Sequence, residues 1–351
     1  MVLQWLRSMR QLAMGAAAGQ QKLCLVIGNE SCDLDSAVSA VCLASYKHQR
    51  REEPVVPVFN IPRRQLACHT EVVFFLNQVL RCDLPTLESC LCMKEDLEKL
   101  IAERRNLLEI VLVDHNRLAP GLSAVQSQVL EIIDHRPLTE QAQTVPNRTV
   151  RPVGSCSTLV AETILKDNRQ YLTRDLALLL YGGVLVDTAC LRDVHKTTKS
   201  DQDIVLTLET QFLQVTERFR DELWRQLVAA KCDVTSLSAV QVLAKDYKSL
   251  CNCRCGLGMS TVPLSLRDFL AKLDALVLRT ADPGLLIYSK NRTLLNEIDS
   301  CLQSSPSLNL GLVAQDELEL ENGAQLRSFL QQNLAITRKQ ILPCLEAHFK
   351  L

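Results

Sequence analysis

What most restricts this chain is the alternation of short apolar runs with helical stretches. Residues 23–27, 55–59, 109–113, 130–133 and 150–153 are short β-rich runs, and each ends in a polar loop. Between them, residues 36–47, 86–104, 121–128 and 157–165 carry helical patterning. Runs this short and apolar fit strands buried on both faces, and strands alternating with helices pair in parallel because each helix returns the chain to its starting edge. The pattern therefore predicts an α/β fold built on a doubly wound, mostly parallel sheet. Ligands of such sheets gather at the carboxyl ends of the strands, where the strand order reverses.

At 351 residues the chain exceeds the ~150 typical of one domain. Beyond residue 212 the pattern changes: 215–231 and 236–247 read as helices, and 260–264 and 285–289 as strands. A second, smaller α/β domain is expected there, with the active site in the cleft between the two. The expected divisions are an N-terminal helical extension over 1–22, a first domain over 23–195, a linker over 196–212 and the second domain over 213–351. Residues 193–203, with His195, Lys196, Lys199 and three Asp, are polar enough for a linker or a loop facing the cleft. At the N-terminus, Leu3, Trp5, Leu6 and Leu12 with Arg7, Arg10 and Lys22 suit either a short amphipathic helix or a mitochondrial presequence; only two Arg precede a long Ala-rich stretch, which favours the helix.

Charge narrows the partners. Thirty-nine Lys and Arg against 40 Asp and Glu leave a net charge of −1, so no basic excess marks a surface for nucleic acid or an anionic membrane. No apolar run approaches the roughly 20 residues of a membrane helix. Fifteen cysteines, an odd number and too dilute for a disulfide scaffold, read as reduced thiols of a cytoplasmic protein. Cys90-x-Cys92 and Cys251-x-Cys253-x-Cys255 read the same way, since structural zinc uses paired Cys-x2-Cys elements. His48, His69 and His348 have no carboxylate-rich motif around them and read as surface or core residues.

The loops after the strands are acidic. Asp33 and Asp35 follow the first strand and stand two apart, which puts both carboxylates on one side in extended chain. Two further apolar runs end in Asp114-His115-Asn116 and Asp134-His135-Arg136. Asp187 closes an uncharged stretch beginning near Leu176 and is either a cap or a ligand. Asp33, Asp35, Asp114, His135 and Asp187 together form an oxygen-rich, imidazole-poor set, which suits Mg²⁺ or Mn²⁺ better than zinc. Shared carboxylates can hold two such ions about 3.5 to 4 Å apart and activate a water for attack on phosphorus.

Taken in order, Asn29-x3-Asp33-x-Asp35-Ser36, Val113-Asp114-His115-Asn116, Asp134-His135-Arg136, Gly154-Ser155-x2-Thr158 and Asp187 resemble the four motifs of the DHH phosphoesterase superfamily. Asn29, where many members have His, and Arg136, as third letter of the Asp-His-His signature, resemble the prune branch of the exopolyphosphatases. Residues 229–246 are similar to the start of a DHHA2 domain, Thr198-Lys199-Ser200-Asp201 to the family's Thr-x-x-Asp element, and Thr337-Arg338-Lys339 to its Ser-Arg-Lys element. The Gly-Gly-Gly-His element of the nucleic-acid branch is absent.

The resemblance implies two divalent ions, Mg²⁺ or Mn²⁺, held by Asp33, Asp35, Asp114, His135 and Asp187, with Asp114 bridging. It implies that Asp114, His135 and Arg136 are catalytic, and that Asn29, Arg136, Ser155, Arg338 and Lys339 contact substrate phosphate. Asn29 also sits at a ligand position, where its amide oxygen, a harder donor than imidazole, tilts the site toward Mg²⁺ and weakens one metal position. Arg136 can hold phosphate oxygens but cannot donate a proton to a leaving group. Gly154 to Thr158, small residues opening a helix, serve either as an anion site or as a plain cap. Around residues 270–285 the chain looks shorter than its relatives by a strand.

The expected activity is metal-dependent removal of terminal phosphate from short inorganic polyphosphate or another small phosphoanhydride. The alternatives are a low-turnover phosphate-binding scaffold and a cyclic-nucleotide phosphodiesterase. Protein partners are compatible with either; nucleic acid and membrane are not expected.

Overall fold

The computed structural model describes residues 1–15, 22–51, 53–245, 247–251, 256–260, 262, 284–289, 292–305, 312–319, 325–331 and 338–349. The chain divides into two compact units, Met1–Asp233 and Val234–Leu351. The first unit runs α1 (Val2–Met14), β1 (Leu23–Ile27), α2 (Leu34–Arg51), β2 (Val55–Phe59), α3 (Thr70–Leu80), α4 (Leu84–Cys90), β3 (Cys92–Met93), α5 (Lys94–Arg104), β4 (Leu108–Val113), β5 (Val129–Asp134), β6 (Asn147–Val150), α6 (Cys156–Asp167), α7 (Arg174–Asp187), α8 (Lys199–Thr207) and α9 (Glu217–Cys232).

Its six strands form one sheet in the order β3-β2-β1-β4-β5-β6, and every pairing is parallel. β1 is flanked by β2 and β4, with Leu25 opposite Val56 on one side and Ile110 on the other. The chain grows outward from β1 in one direction and then crosses to β4 to grow in the other. The crevice at the carboxyl ends of β1 and β4 is therefore the switch point where an α/β sheet places its ligands.

Strand residues alternate between two cores. Cys24, Val26, Val55, Phe59, Val111, Val113 and Ile133 pack with α2, α3, α6 and α7. Leu23, Leu25, Ile27, Val56, Val58, Ile110, Leu112 and Ile132 pack on the opposite face with Met9 and Ala13 of α1 and Leu97 and Leu100 of α5. Both faces are covered, which explains why these strands read as continuous apolar runs rather than as alternating ones.

The compact unit extends further at both ends than the expected divisions. The N-terminal helix α1 packs onto the unit: Val2, Leu6, Met9 and Ala13 are buried, and Arg10 binds Asp96 through Nε at 3.2 Å and Nη2 at 3.1 Å. Residues 196–233 pack with the first unit rather than forming a linker and the start of the second. Ile204, Val205, Leu208, Leu213, Leu223 and Leu227 all join its core, and Glu209 accepts Tyr181 Oη at 2.6 Å and Arg220 Nε at 2.7 Å. α9 carries so many charges that its single buried stripe, Leu223 and Leu227 one turn apart, is faint in sequence. The stretch 86–104, expected as one helix, is broken by the buried two-residue strand β3, and 121–128 is a 3₁₀ helix.

α7 passes close to its neighbours because of Gly182 and Gly183. A Cβ on Gly182 would lie 2.3 Å from Phe75, and one on Gly183 would lie 2.4 Å from Ser157 Oγ and 2.9 Å from Val38. Alanine gains about 1 kcal/mol of helix propensity over glycine, but overpacking a tight interface costs about 1–3 kcal/mol. Gly183→Ala is therefore expected to lower the urea midpoint and, by displacing Ser157, to weaken the site described below. An unchanged midpoint would show that α7 has room to shift.

The second unit contains α10 (Ala239–Lys245), the antiparallel hairpin β7 (Tyr247–Cys251) and β8 (Gly256–Ser260), β9 (Gly284–Ser289), α11 (Arg292–Ser304), β10 (Leu312–Glu319), β11 (Gln325–Gln331) and α12 (Arg338–Phe349). Its antiparallel sheet runs β10-β11-β9. Leu295, Ile298 and Leu302 of α11 pack with Ile287, Ile341 and Leu345. The proposed missing strand, Cys253 and Cys255 lie outside the described residues. Among those described, the cysteines are free thiols, and no helix is long and apolar enough to cross a membrane.

Candidate metal centre

β1 delivers the chain into a tight loop. Gly28 is needed there, since a Cβ would lie 2.6 Å from Ser36 Oγ, and that same oxygen accepts Asn29 N at 2.8 Å. Asp33 caps α2, its Oδ1 accepting Ser36 N at 3.1 Å. Asp35, in the first turn of α2, is buried and bound from across the site. Its Oδ1 accepts Ser155 Oγ at 2.7 Å, Ser157 N at 2.8 Å and Ser157 Oγ at 2.6 Å, and its Oδ2 accepts Cys156 N at 2.7 Å. Thus the amino end of α6 does receive an anion, but that anion is the chain's own carboxylate. Ser155, expected as a phosphate contact, is instead committed to holding Asp35.

β4 ends in Asp114, which is fully buried and adopts a left-handed φ of 59°. Asp is one of the few side chains that tolerate that conformation. Burial, with Asp35 and Asp33 nearby, pushes the Asp114 carboxyl up to about 7, against the opposing pull of His135 and Arg136. Burial and the same carboxylates raise Asp187 well above the usual range, and burial and Asp35 raise Asp33. Asp187 ends α7, and no described residue donates a hydrogen bond to it.

His135 follows β5. Its Nδ1 lies 3.0 Å from the Val153 carbonyl, which assigns a proton to Nδ1 and makes Nε2 the nitrogen that offers a lone pair once its own proton is displaced. Nε2 is buried without a hydrogen-bond partner, although it lies 3.3 Å from Asp114 Oδ1. Burial disfavours the charged imidazole, but Asp114, Asp35 and the Val153 carbonyl outweigh it and push the group up to about 9. One atom each from Asp35, His135 and Asp187 lie within 4.8 Å of one another, as do one each from Asp114, Asp134 and His135. Asp33 is in neither set but sits within electrostatic reach of Asp35.

This donor set fits a hard divalent cation. Crowded carboxylates that resist ionisation together and a buried imidazole nitrogen with no hydrogen-bond partner are what a bound cation would relieve. Asn29 and Arg136 surround Asp114 as hydrogen-bond donors. Asn29 Nδ2 donates to Asp114 O at 3.2 Å and to Asp114 Oδ2, while Arg136 Nη1 donates to Asp114 O and Oδ1 and to Asp134 Oδ1, the last at 3.2 Å. Arg338 and Lys339 open α12 in the second unit, and their side chains lie outside the described residues.

Three supporting residues, Asn116, Asp134 and Asp201, stand in the motifs read from sequence without a role assigned to them there. Asp134 takes part in one ligand set and is steadied by Asn116 Nδ2 at 2.6 Å. Asp201, fully buried, accepts Gly154 N at 2.9 Å, Thr158 Oγ1 at 2.6 Å, and Thr198 N and Oγ1 at 2.7 and 2.6 Å. The capping-box pattern Thr198-x-x-Asp201 was the available signal for Asp201, and the Asp-His pair at a strand end was the signal for Asp134.

Residues 24–184 match the DHH family N-terminal domain, and residues 225–348 match the DHHA2 domain. Exopolyphosphatase PRUNE1 of Rattus norvegicus is 32% identical over 348 residues, covering 92% of this chain and 74% of the relative. A putative exopolyphosphatase of Schizosaccharomyces pombe is 29% identical over 357 residues, covering 91% and 89%. A manganese-dependent inorganic pyrophosphatase of Methanothrix thermoacetophila is 24% identical over 335 residues, covering 93% and 98%. Among solved structures, a putative family II inorganic pyrophosphatase of Methanococcus jannaschii has a TM-score of 0.54 at 20% identity, covering 93% of this chain and all of that one, which supports the fold.

Proposed function

This chain belongs to the DHH family, in the prune-type branch that joins a DHH domain to a DHHA2 domain, and on that footing we propose that it is a metal-dependent phosphohydrolase of the exopolyphosphatase type. Its substrate is short inorganic polyphosphate or a similar small phosphoanhydride. The observation that carries the reading is the convergence of Asp35, Asp187 and the buried, unpartnered His135 Nε2 at the switch point of the sheet. Asp35, His135 and Asp187 would hold one divalent ion, and Asp33 with Asp114 would serve a second position. When bound, such ions polarise a phosphoryl oxygen and lower the pKa of the attacking water.

The chain's own residues supply position and charge. The amino end of α6 and Ser157 hold Asp35 in place, and the Val153 carbonyl fixes the His135 tautomer. Arg136 uses Nη1 for Asp114 and Asp134, while its Nε and Nη2 donate to no described residue and can take phosphate oxygens as a fork. A guanidinium does not protonate a leaving group, so turnover favours leaving groups that need no proton, such as the next phosphate of a chain. A cytoplasmic location is proposed from the odd number and low density of the chain's fifteen cysteines.

Phosphate release from tripolyphosphate is expected with Mg²⁺ or Mn²⁺, to fall to background on chelation, and to exceed any hydrolysis of a cyclic nucleotide. Cyclic-nucleotide hydrolysis without phosphate release from tripolyphosphate would reverse the assignment. Arg338 and Lys339 are proposed to grip substrate phosphates, so replacing both by Ala should raise KM roughly tenfold or more without changing the amount of metal bound. Unchanged KM and kcat would remove the pair from the site.

A further inference from the structure

Asn29 is held in one orientation from both ends. Its Oδ1 accepts Ser31 N at 2.9 Å, Ser31 Oγ at 2.6 Å and Cys32 N at 3.0 Å. Two of these are backbone N–H groups, which only donate, so the atom facing them must be the oxygen. On the far side Nδ2 faces the Asp114 carbonyl at 3.2 Å, and a carbonyl only accepts. Turning the amide over would set N–H against N–H and oxygen against oxygen. The side chain therefore presents N–H groups to the carboxylates, and an amide nitrogen has no lone pair to give a cation.

The consequence falls on Asp114. Its Oδ2 receives Asn29 and its Oδ1 receives the charged Arg136, so each oxygen already has a donor, one of them a cation. Asp35 is also hydrogen-bonded, but every donor it receives is neutral, and neither Asp187 nor His135 Nε2 has a hydrogen-bond partner among the described residues. A dication entering at Asp35, His135 and Asp187 need displace only the proton on His135 Nε2, which can leave to solvent. One entering at Asp114 must compete with a guanidinium and an amide at the same carboxylate.

Building on the proposed metal site, we infer that Asn29 is a hydrogen-bond donor and not a metal ligand, and that Asn29 and Arg136 together withhold Asp114 from a second ion. The protein then binds one divalent ion tightly at Asp35, His135 and Asp187, and a second at least tenfold more weakly. Arg136 supplies part of the positive charge the second ion would have brought.

Titrating the metal-free full chain with Mn²⁺, with free ion read by electron paramagnetic resonance and heats by calorimetry, tests this directly. One tight equivalent is expected, followed by a separate step at least tenfold weaker. Asn29→Ala removes a donor and should tighten the second step, whereas loss of a true ligand would weaken it. Asn29→His should tighten that step at least tenfold and produce the spectrum of two coupled Mn²⁺ ions. Arg136→Ala leaves the Asn29 loop intact and should also tighten the second step, so the inference stays open to refutation if an Asn29 variant misfolds. Two equivalents of equal affinity in the wild type, or a weaker second step in a folded Asn29→Ala protein, would overturn the inference alone. Absence of even the first step would instead overturn the metal reading on which it rests.

Discussion

Asp187→Ala is expected to reduce phosphate release by roughly 10³-fold or more while leaving the protein folded. The carboxylate ends α7 and accepts no hydrogen bond from a described residue, so its removal orphans no donor. Burial and the charges of Asp35, Asp33 and Asp114 oppose its ionisation, so without metal it is a source of strain rather than of stability. The metal-free variant should unfold at a urea midpoint equal to or above that of the wild type. With metal the order should reverse. An ion present at 100 times its dissociation constant stabilises by about 2.7 kcal/mol, and the variant forfeits that gain along with the activity. Wild-type turnover in Asp187→Ala would remove this residue from the metal site.

The same crowding gives a pH signature in the metal-free protein. A carboxyl raised in the folded state contributes stability that is present below its unfolded pKa near 4 and is lost as pH rises through its folded value. Asp114 reaches about 7, and Asp33 and Asp187 are raised as well, so stability should fall between about pH 4 and 7. That fall should be shallower in Asp187→Ala, which lacks one of the interacting carboxyls.

The parts of the molecule that were legible in sequence share a physical cause. β1 and β2 are buried and apolar along their length, as are β4 and β5 beyond Glu109 and Glu131, and the acidic residues stand out where those runs stop. β6 was placed three residues late because it is a mostly exposed edge strand of sequence Asn-Arg-Thr-Val, with little burial to leave a pattern. α1 reads as an extension because its partners, among them Asp96 and Leu97 of α5 and Val56 of β2, lie far along the chain. At the site, the ligand types could be read, but not what each was already bound to. Ser155 resembles a phosphate contact until Asp35 is seen to occupy it, and Asn29 resembles an oxygen donor until Ser31 and Cys32 are seen to take that oxygen. Such commitments depend on distances across loops, which residue identity does not encode.

Asp201→Ala should produce the largest loss of stability. Its carboxylate is fully buried and ties Gly154 N, Thr158 Oγ1, Thr198 N and Thr198 Oγ1 into one network, joining the start of α6 to the start of α8. Gly154 is a glycine partly for this reason, because a Cβ there would lie 2.9 Å from Asp201 Oδ2 and 2.6 Å from Thr188. Alanine would leave the buried N–H of Gly154 and the hydroxyl of Thr158 facing a gap. Each orphaned donor costs about 1–3 kcal/mol, so a total of roughly 3–5 kcal/mol is expected. At about 2–4 °C per kcal/mol for a unit of this size, Tm should drop by roughly 6–20 °C. Asp201→Asn keeps one accepting oxygen and should lose about half as much. Because the same segment presents the α6 amides to Asp35, both variants should bind the first Mn²⁺ more weakly, in the order of their loss of stability. An Asp201→Ala protein with wild-type Tm would show that water replaces the carboxylate at little cost, and wild-type metal affinity in a destabilised variant would detach the α6 terminus from the positioning of Asp35.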